Sequence, residues 1–143
     1  MRIEEILSTK GHDVVTITES KSVLEAAQLL VDHNIGGLVV MVGERPTGIV
    51  TERDILRLTA RGPGELGSLQ VGAVMTRDLI TATPDDRLAT VMGVMTENKV
   101  RHLPVMAEGR LVGIVSIGDL LQACRVVAED ENSQLREYIQ GAG

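Results

Sequence analysis

The chain has 143 residues, a formal net charge of −6 and 43% hydrophobic residues, with Tyr138 as its single aromatic side chain. It has no cluster of lysine and arginine interleaved with aromatic rings, which argues against a nucleic-acid partner. No apolar stretch reaches the roughly 18 residues of a membrane span, and the first residues lack the apolar run of a signal peptide. We therefore expect a cytoplasmic protein with no membrane partner.

The chain contains an internal repeat. At an offset of 65 positions, residues 15–56 align with residues 80–121 without a gap, and many more pairs are identical than composition alone would give. The identical pairs are Thr16/Thr81, Thr18/Thr83, Leu38/Leu103, Val40/Val105, Met41/Met106, Arg45/Arg110, Gly48/Gly113, Ile49/Ile114, Val50/Val115, Asp54/Asp119 and Leu56/Leu121. We predict one repeat with its lead-in at 1–62, a linker at 63–70, a second repeat at 71–125 and a helical tail at 126–143.

Both repeats show the same order of predicted elements. Short β-branched runs at 14–17 and 79–82 predict a first strand. A helix follows in each repeat, and in the first one Ser22 and Glu25 have the spacing of a capping box. Next come two strands joined by a tight polar turn, predicted at 38–42 and 48–50, and again at 103–106 and 111–115. A second helix begins at Thr51 or Ser116.

A unit of about 60 residues can cover only one face of a three-stranded sheet with its own two helices. We therefore predict a mixed α/β (α+β) fold. It contains two tandem β-α-β-β-α repeats, packed sheet to sheet with pseudo-two-fold symmetry, and a C-terminal helix. Ligands prefer the clefts at such junctions.

The strongest candidate for a binding site is the passage from strand to helix at the end of each repeat. In both repeats a hydroxyl precedes a carboxylate by three positions, as Thr51 with Asp54 and as Ser116 with Asp119. A capping box alone would explain this spacing. A helix start with free N–H groups is also an anion site, and a carboxylate there can accept both hydroxyls of a ribose. The two interpretations are compatible.

A local basic cluster lies where the first helix of the second repeat gives way to a strand. It contains Lys99, Arg101 and His102, whereas the first repeat has Gly36 and Gly37 opposite the last two. This difference predicts an asymmetric cleft, with charged donors on one side and space on the other. A solvated basic loop is the alternative interpretation.

Other kinds of site find little support. His12, His33 and His102 lie far apart in the sequence, and no pair of cysteine or histidine residues has the spacing of metal ligands. Cys124 lies among apolar residues of a predicted helix and is expected to be buried filler. The hydroxyl residues at the helix starts lack a nucleophile elbow, so we do not expect an enzyme.

With these motifs the chain resembles the CBS domain pair, or Bateman module, named after the regulatory domain of cystathionine β-synthase. The resemblance covers about residues 1–125 and rests on both Gly-x-x-Thr/Ser-x-x-Asp endings, on the lead-in at 71–76, and on the run at 101–105. A weaker lead-in at 3–8 precedes the first repeat. The whole chain is similar to small bacterial stand-alone CBS proteins that end in a helix.

The resemblance implies a role for each candidate residue. Asp54 and Asp119 would hold ribose hydroxyls, and Thr51 and Ser116 would approach phosphate. The adenine would be lined by Thr18, Val23, Thr83 and Leu88, and phosphates would meet Arg101 and His102 across from Gly36 and Gly37.

The function implied is that of a non-catalytic sensor that binds an adenine nucleotide (AMP, ATP or NAD(H)) in the cleft between the repeats. The sequence does not identify the regulated protein. A homodimer is expected through exposed helix faces that include Leu24, Leu56 and Leu58. The alternatives are a structural or dimerisation module without ligand and a small enzyme that acts on a nucleotide.

Overall fold

A computed structural model describes residues 1–62, 64 and 66–142. Pro63 and Glu65 of the predicted linker and Gly143 of the predicted tail lie outside the described residues. In chain order the elements are α1 (Ile3–Lys10), β1 (Thr16–Thr18), α2 (Val23–His33), β2 (Gly37–Val42), β3 (Arg45–Thr51), α3 (Glu52–Arg61), α4 (Val71–Val74), α5 (Leu88–Asn98), β4 (His102–Ala107), β5 (Arg110–Ser116) and α6 (Ile117–Ala142).

The sheets follow the repeat. In the first repeat β1 pairs in parallel with β2, and β2 forms an antiparallel hairpin with β3. In the second repeat β4 and β5 form the equivalent hairpin, and each hairpin has one register shift at the same place, after Val40 and after Val105. The predicted hairpins are confirmed. In the first repeat only residues 43–44 separate the two strands, whereas the predicted strands left residues 43–47 between them.

The predicted first strand of the second repeat is reduced to a single bridge. Ala82 pairs in parallel with Val105, which is the same pairing that Ile17 makes with Val40. Ala82 makes both of its backbone hydrogen bonds with β4, to Pro104 and from Met106. The next N–H that would face β4 is that of residue 84, which is a proline and has none, so the ladder stops there.

Each repeat has its own hydrophobic core, and the lead-in helix of one repeat completes the core of the other. Ile3, Ile6 and Leu7 of α1 are buried with the residues of the second repeat. Val71 and Met75, at α4, are buried with those of the first repeat. The predicted lead-ins therefore form an exchange between the two repeats, which the sequence did not indicate.

Two glycines allow this exchange. A Cβ atom on Gly48 would lie 2.6 Å from Sδ of Met75 and 2.8 Å from the carbonyl oxygen of Thr76. A Cβ atom on Gly113 would lie 2.7 Å from Cδ2 of Leu7. Since real Cβ contacts are longer than this, each strand accepts the crossing lead-in only where it has no side chain.

The two sheets face each other at the junction. Leu38 and Val40 point into the core of the first repeat, so Val39 points to the opposite face, where it is also fully buried. Pro104, the equivalent residue of the second repeat, is buried as well, and strands β3 and β5 are in contact. This is the predicted sheet-to-sheet packing.

The last helix runs without a break from the second repeat into the tail. Leu120 and Ala123 are buried, while residues 128–137 are exposed. Cys124 is partly buried, with its Sγ 3.3 Å from Sδ of Met92. Tyr138 belongs to the predicted helical tail, and its side chain lies outside the described residues. In the part of the chain that the structure describes, no helix has the length and apolar character to cross a bilayer.

Replacing Gly48 by alanine should destabilise the fold by about 1 to 3 kcal/mol, because the new methyl group would overlap the backbone of Thr76. Gly93, inside helix α5, has no neighbour within 4 Å of a Cβ atom and is the matched control. Gly93→Ala should be neutral or stabilising by up to about 1 kcal/mol. Urea unfolding of both variants measures the difference, and equal midpoints for the two would contradict the close approach.

Candidate functional site

The first helix start is a complete capping box. The N–H and the hydroxyl of Thr51 both donate to Oδ2 of Asp54, at 2.9 and 3.1 Å. The N–H of Asp54 donates in return to Oγ1 of Thr51, at 3.3 Å. The predicted cap is confirmed, and it holds the Asp54 carboxylate against the first turn of α3 in a partly buried position.

The second helix start has the same cap and an additional cation. The N–H of Ser116 donates to Oδ2 of Asp119 at 2.8 Å, and the N–H of Asp119 donates to Oγ of Ser116 at 3.2 Å. Nζ of Lys10, from the end of α1, also donates to Oδ2 of Asp119 at 2.7 Å. Although burial raises the pKa of Asp119, the hydrogen bonds from Lys10 and Ser116 lower it more, so the net shift is downward.

Each helix start is joined to the beginning of the hairpin in its own repeat. The first N–H of α3, from Glu52, donates to the carbonyl oxygen of Gly36 at 3.0 Å. In the same way the first N–H of α6, from Ile117, donates to the carbonyl oxygen of Arg101 at 2.8 Å. The hairpin registers add the pairs Gly37 with Thr51 and His102 with Ser116.

The imidazole of His102 spans the two repeats. A Cβ atom on Gly36 would lie 2.9 Å from Nε2 of His102, and one on Gly37 would lie 3.1 Å from its Cγ. The Gly36 position is also 3.3 Å from Oε1 of Glu52. The glycines thus leave the space that the sequence predicted, and the ring of His102 occupies it.

His102 loses its proton more readily than a free histidine, because its surroundings lower its pKa. Burial is the largest effect and lowers the pKa of His102 below 6.5. Glu52 raises this pKa, Lys10 lowers it, Asp119 raises it and Arg101 lowers it. Charged groups of α1, α3 and α6, and Arg101 just before β4, therefore all act on this one ring.

The structure brings together one part of the implied nucleotide site. Gly36, Gly37, Thr51, Asp54, Arg101, His102, Ser116 and Asp119 are connected by the hydrogen bonds and contacts just described.

The four residues implied for adenine have their described contacts elsewhere. Val23 and Leu88 are buried first residues of α2 and α5, and Thr83 donates its hydroxyl to Asp86 at 2.9 Å. Thr18 is exposed beside a cavity of about 410 Å³ that is also lined by Thr16, Ile17, Lys21, Glu25, Gln28, Leu29 and Asp32. Thr18 pairs with Met41, four residues along β2 from Gly37, or roughly 13 Å.

The histidines do not converge. His12 pairs with Glu4, with Nε2 and Oε1 3.0 Å apart, and His33 ends helix α2. Among the described residues no group of three or more His, Cys, Asp or Glu side chains has the arrangement of a metal site.

Lys10 and Glu52 are the functional candidates that the sequence did not reveal. Lys10 is 109 positions away from Asp119, and it lies in a lead-in that the sequence assigned to the first repeat. Glu52 looks like an ordinary acidic residue in the first turn of a helix. No local pattern marks either residue, because both act through the contact between the repeats.

A sequence model of the CBS domain matches residues 3–61 and residues 71–126. The chain belongs to the CBS domain family. It is 36% identical to the mitochondrial CBS domain-containing protein CBSX3 of Arabidopsis thaliana, over 97% of this chain and 72% of that protein.

Solved structures agree with this assignment. The crystal structure of a CBS-domain containing protein from Agrobacterium tumefaciens superposes with a TM-score of 0.83 at 35% identity, covering 86% of this chain and 98% of that one. The CBS domain pair of protein MJ0100, crystallised with 5′-methylthioadenosine and S-adenosyl-L-methionine, gives a TM-score of 0.76 at 28% identity, with coverages of 86% and 98%.

The lowered pKa of His102 makes the stability of this CBS pair dependent on pH. A histidine whose pKa is lower in the folded state contributes fully above its unfolded pKa of about 6.5, and this contribution is lost as the pH falls through the folded value. Between pH 7.5 and 5.5, the wild type should therefore lose more stability than His102→Gln. Urea unfolding at the two pH values measures this.

His33→Gln is the matched control, because His33 is exposed at the end of α2, outside the junction. It should keep the pH dependence of the wild type. If the free energy of unfolding falls equally with pH in the wild type and in His102→Gln, burial of this ring is not the source of the pH dependence.

Proposed function

We propose that this CBS pair is a non-catalytic regulatory module that binds an adenine nucleotide, such as AMP, ATP or NAD(H), at the junction of its repeats. The observation that carries the proposal is the meeting of two capped helix starts at one histidine that bridges the repeats. Complexes of the MJ0100 domain pair with 5′-methylthioadenosine and S-adenosyl-L-methionine support an adenosine-containing ligand.

The junction offers donors for phosphate. The starts of α3 and α6 place the positive ends of two helices there, which favours anions. Arg101 is exposed and carries a guanidinium that can bind phosphate oxygens in a bidentate way. His102 adds a second charged donor once it is protonated, which an adjacent phosphate would promote.

Asp54 is suited to bind a ribose. The described hydrogen bonds that it accepts all end on Oδ2, so its Oδ1 is left as an acceptor. A ribose with two neighbouring hydroxyls can donate to such a carboxylate, and hydrogen bonds to a charged acceptor are stronger than neutral ones. The adenine contacts that the resemblance implies, with Thr18, Val23, Thr83 and Leu88, stay a prediction.

The hydroxyls of Thr51 and Ser116 support a role without catalysis. Each is engaged in the cap of its helix, where it accepts a backbone N–H. Asp54 lies within general-base reach of the Thr51 hydroxyl, but the oxygen of that hydroxyl, with which a nucleophile would attack, is held by the N–H of Asp54. The described contacts of these hydroxyls therefore fit binding better than bond cleavage.

A structural module is the second candidate function. Both carboxylates already accept hydrogen bonds within the protein, Asp54 from its cap and Asp119 from its cap and Lys10. Under this interpretation the helix starts only stabilise the fold, and calorimetry with AMP, ATP or NADH would give no binding heat. A cytoplasmic location and an unidentified regulated protein remain predictions under either function.

We also propose that the chain associates with a second copy of itself to form a homodimer. Leu24 on α2 and Leu56 on α3 are 43% and 69% exposed, and Val31 on α2 is 78% exposed. Leu58, expected on the same face, is partly buried. Helix α3 has no fully buried residue, which suits a helix that is covered by a second copy of the chain.

Asp54→Ala should weaken AMP binding by about 1.5 to 3 kcal/mol, or roughly 10- to 150-fold, through loss of a charged acceptor for the ribose. Asp130→Ala removes an exposed carboxylate from the tail and is the control. Isothermal titration calorimetry with AMP measures both. Unchanged affinity in Asp54→Ala would favour the purely capping role.

Leu56→Glu should convert a homodimer into a monomer, because a charge would enter a contact formed by apolar side chains. Sedimentation velocity at micromolar concentration measures the change. Arg57→Gln, one position further along the same exposed helix, makes the same change in net charge and is the control. If the wild-type chain sediments as a monomer, the proposed homodimer is wrong.

A further inference from the structure

We propose that Glu52 is a specificity-determining residue of the junction, which favours AMP or NAD(H) over the more highly charged ATP. This inference rests on the proposed function and names the class of adenine nucleotide that the junction binds. Its basis is that a carboxylate of the protein lies beside the histidine at which the ligand's phosphate would bind.

The carboxylate of Glu52 and the ring of His102 lie next to each other. A Cβ atom on Gly36 would lie 3.3 Å from Oε1 of Glu52 and 2.9 Å from Nε2 of His102, so both atoms border the same methyl-sized space. Burial lowers the pKa of His102, and among the charged groups Glu52 has the largest influence on this pKa and raises it. A phosphate at the ring would therefore bind beside a negative charge of the protein.

Only the first repeat has this charge at the start of its second helix. At the offset of 65 positions, Glu52 aligns with Ile117. The N–H groups of both residues donate to the backbone just before the hairpin of their own repeat, so the two positions are equivalent in the fold. Since α6 begins behind the same kind of cap with an apolar residue, the acidic side chain of Glu52 is not needed to begin a helix.

The charges around the ring offer limited attraction for a polyphosphate. Apart from burial, which lowers the pKa of His102, two carboxylates raise it, those of Glu52 and Asp119. Two cations, Lys10 and Arg101, lower it. Lys10 already donates to Asp119 at 2.7 Å, so Arg101 and the protonated ring are the cations of this group that can bind phosphate. These donors and the two helix starts can match one phosphate, whereas each further phosphate adds repulsion from Glu52.

Solvent limits the size of this repulsion. Glu52 is exposed, so its charge is screened almost as it would be in water. At a separation of roughly 6 Å, Coulomb's law with a dielectric constant between about 40 and 80 gives a loss of affinity of about 3- to 10-fold for each phosphate charge. The expected effect grows with the number of phosphates and is absent for adenosine.

Calorimetry with adenosine, AMP and ATP tests this role of Glu52. The wild type should bind AMP more tightly than ATP. Glu52→Gln keeps the size of the side chain and removes its charge, so it should raise the affinity for AMP about 3- to 10-fold and that for ATP about 10-fold or more, with adenosine unchanged. Glu44→Gln makes the same change in net charge in the hairpin turn at the other end of β3 and should behave as the wild type.

A salt series separates the charge of Glu52 from a structural role. The gain in ATP affinity of Glu52→Gln over the wild type should shrink between about 0.05 and about 0.5 M sodium chloride, because salt screens the carboxylate. A wild type that prefers ATP, or a gain that is absent, equal for all three compounds or unaffected by salt, would overturn the role of Glu52 and leave the proposed function standing. If none of the three compounds binds to either protein, the proposed function and this inference are both wrong.

Discussion

The crossing of the lead-in segments is the constraint on which the arrangement of this protein depends. Each repeat forms a hairpin covered by two helices, but its core is completed by the lead-in helix of the other repeat. Helix α4 packs in the core of the first repeat, and α1 packs in that of the second. The crossing requires strands without side chains at Gly48 and Gly113, where Met75 and Leu7 lie directly against the backbone. Neither repeat can therefore complete its core alone, and the relative position of the two sheets is fixed by packing.

This fixed position gives the junction its chemistry. Because the sheets meet face to face, His102 of the second repeat lies on the backbone of Gly36 and Gly37 in the first. The same crossing carries Lys10 to Asp119. The ring of His102 and the carboxylate of Asp119 are thus held by crossing contacts, whereas Asp54 is held by the cap of its own helix. A ligand that binds at the ring therefore acts on the contact that joins the two halves of the protein.

The features that sequence patterns predicted are those formed by neighbours in the chain. Thr51 with Asp54 and Ser116 with Asp119 are three residues apart, and their caps form as expected. The two hairpins also form where the sequence predicted strands joined by a tight turn. The first strand of the second repeat was predicted too long, because a β-branched run indicates an extended chain but not how many of its residues find a partner on the next strand.

What the sequence could not reveal depends on contacts between distant residues. The pairing of Lys10 with Asp119 needs the crossing of α1, which a repeat alignment assigns to the wrong neighbour. The filling of the space above Gly36 by His102 depends on how two sheets pack, and the glycines alone predicted only that space was present. Lys10 differs from the other lysines only in its position in the fold, which places it beside Asp119.

The central claim is that phosphate of an adenine nucleotide meets His102 at the junction. The most direct measurement is an NMR titration of the His102 ring between pH 5 and 8, in the free protein and with saturating AMP or adenosine. AMP should raise the pKa of His102 from its lowered value, so AMP affinity should fall as the pH rises from the free to the bound pKa. Adenosine should leave this pKa low. A His102 pKa unchanged by bound AMP, or raised equally by adenosine, would contradict the account.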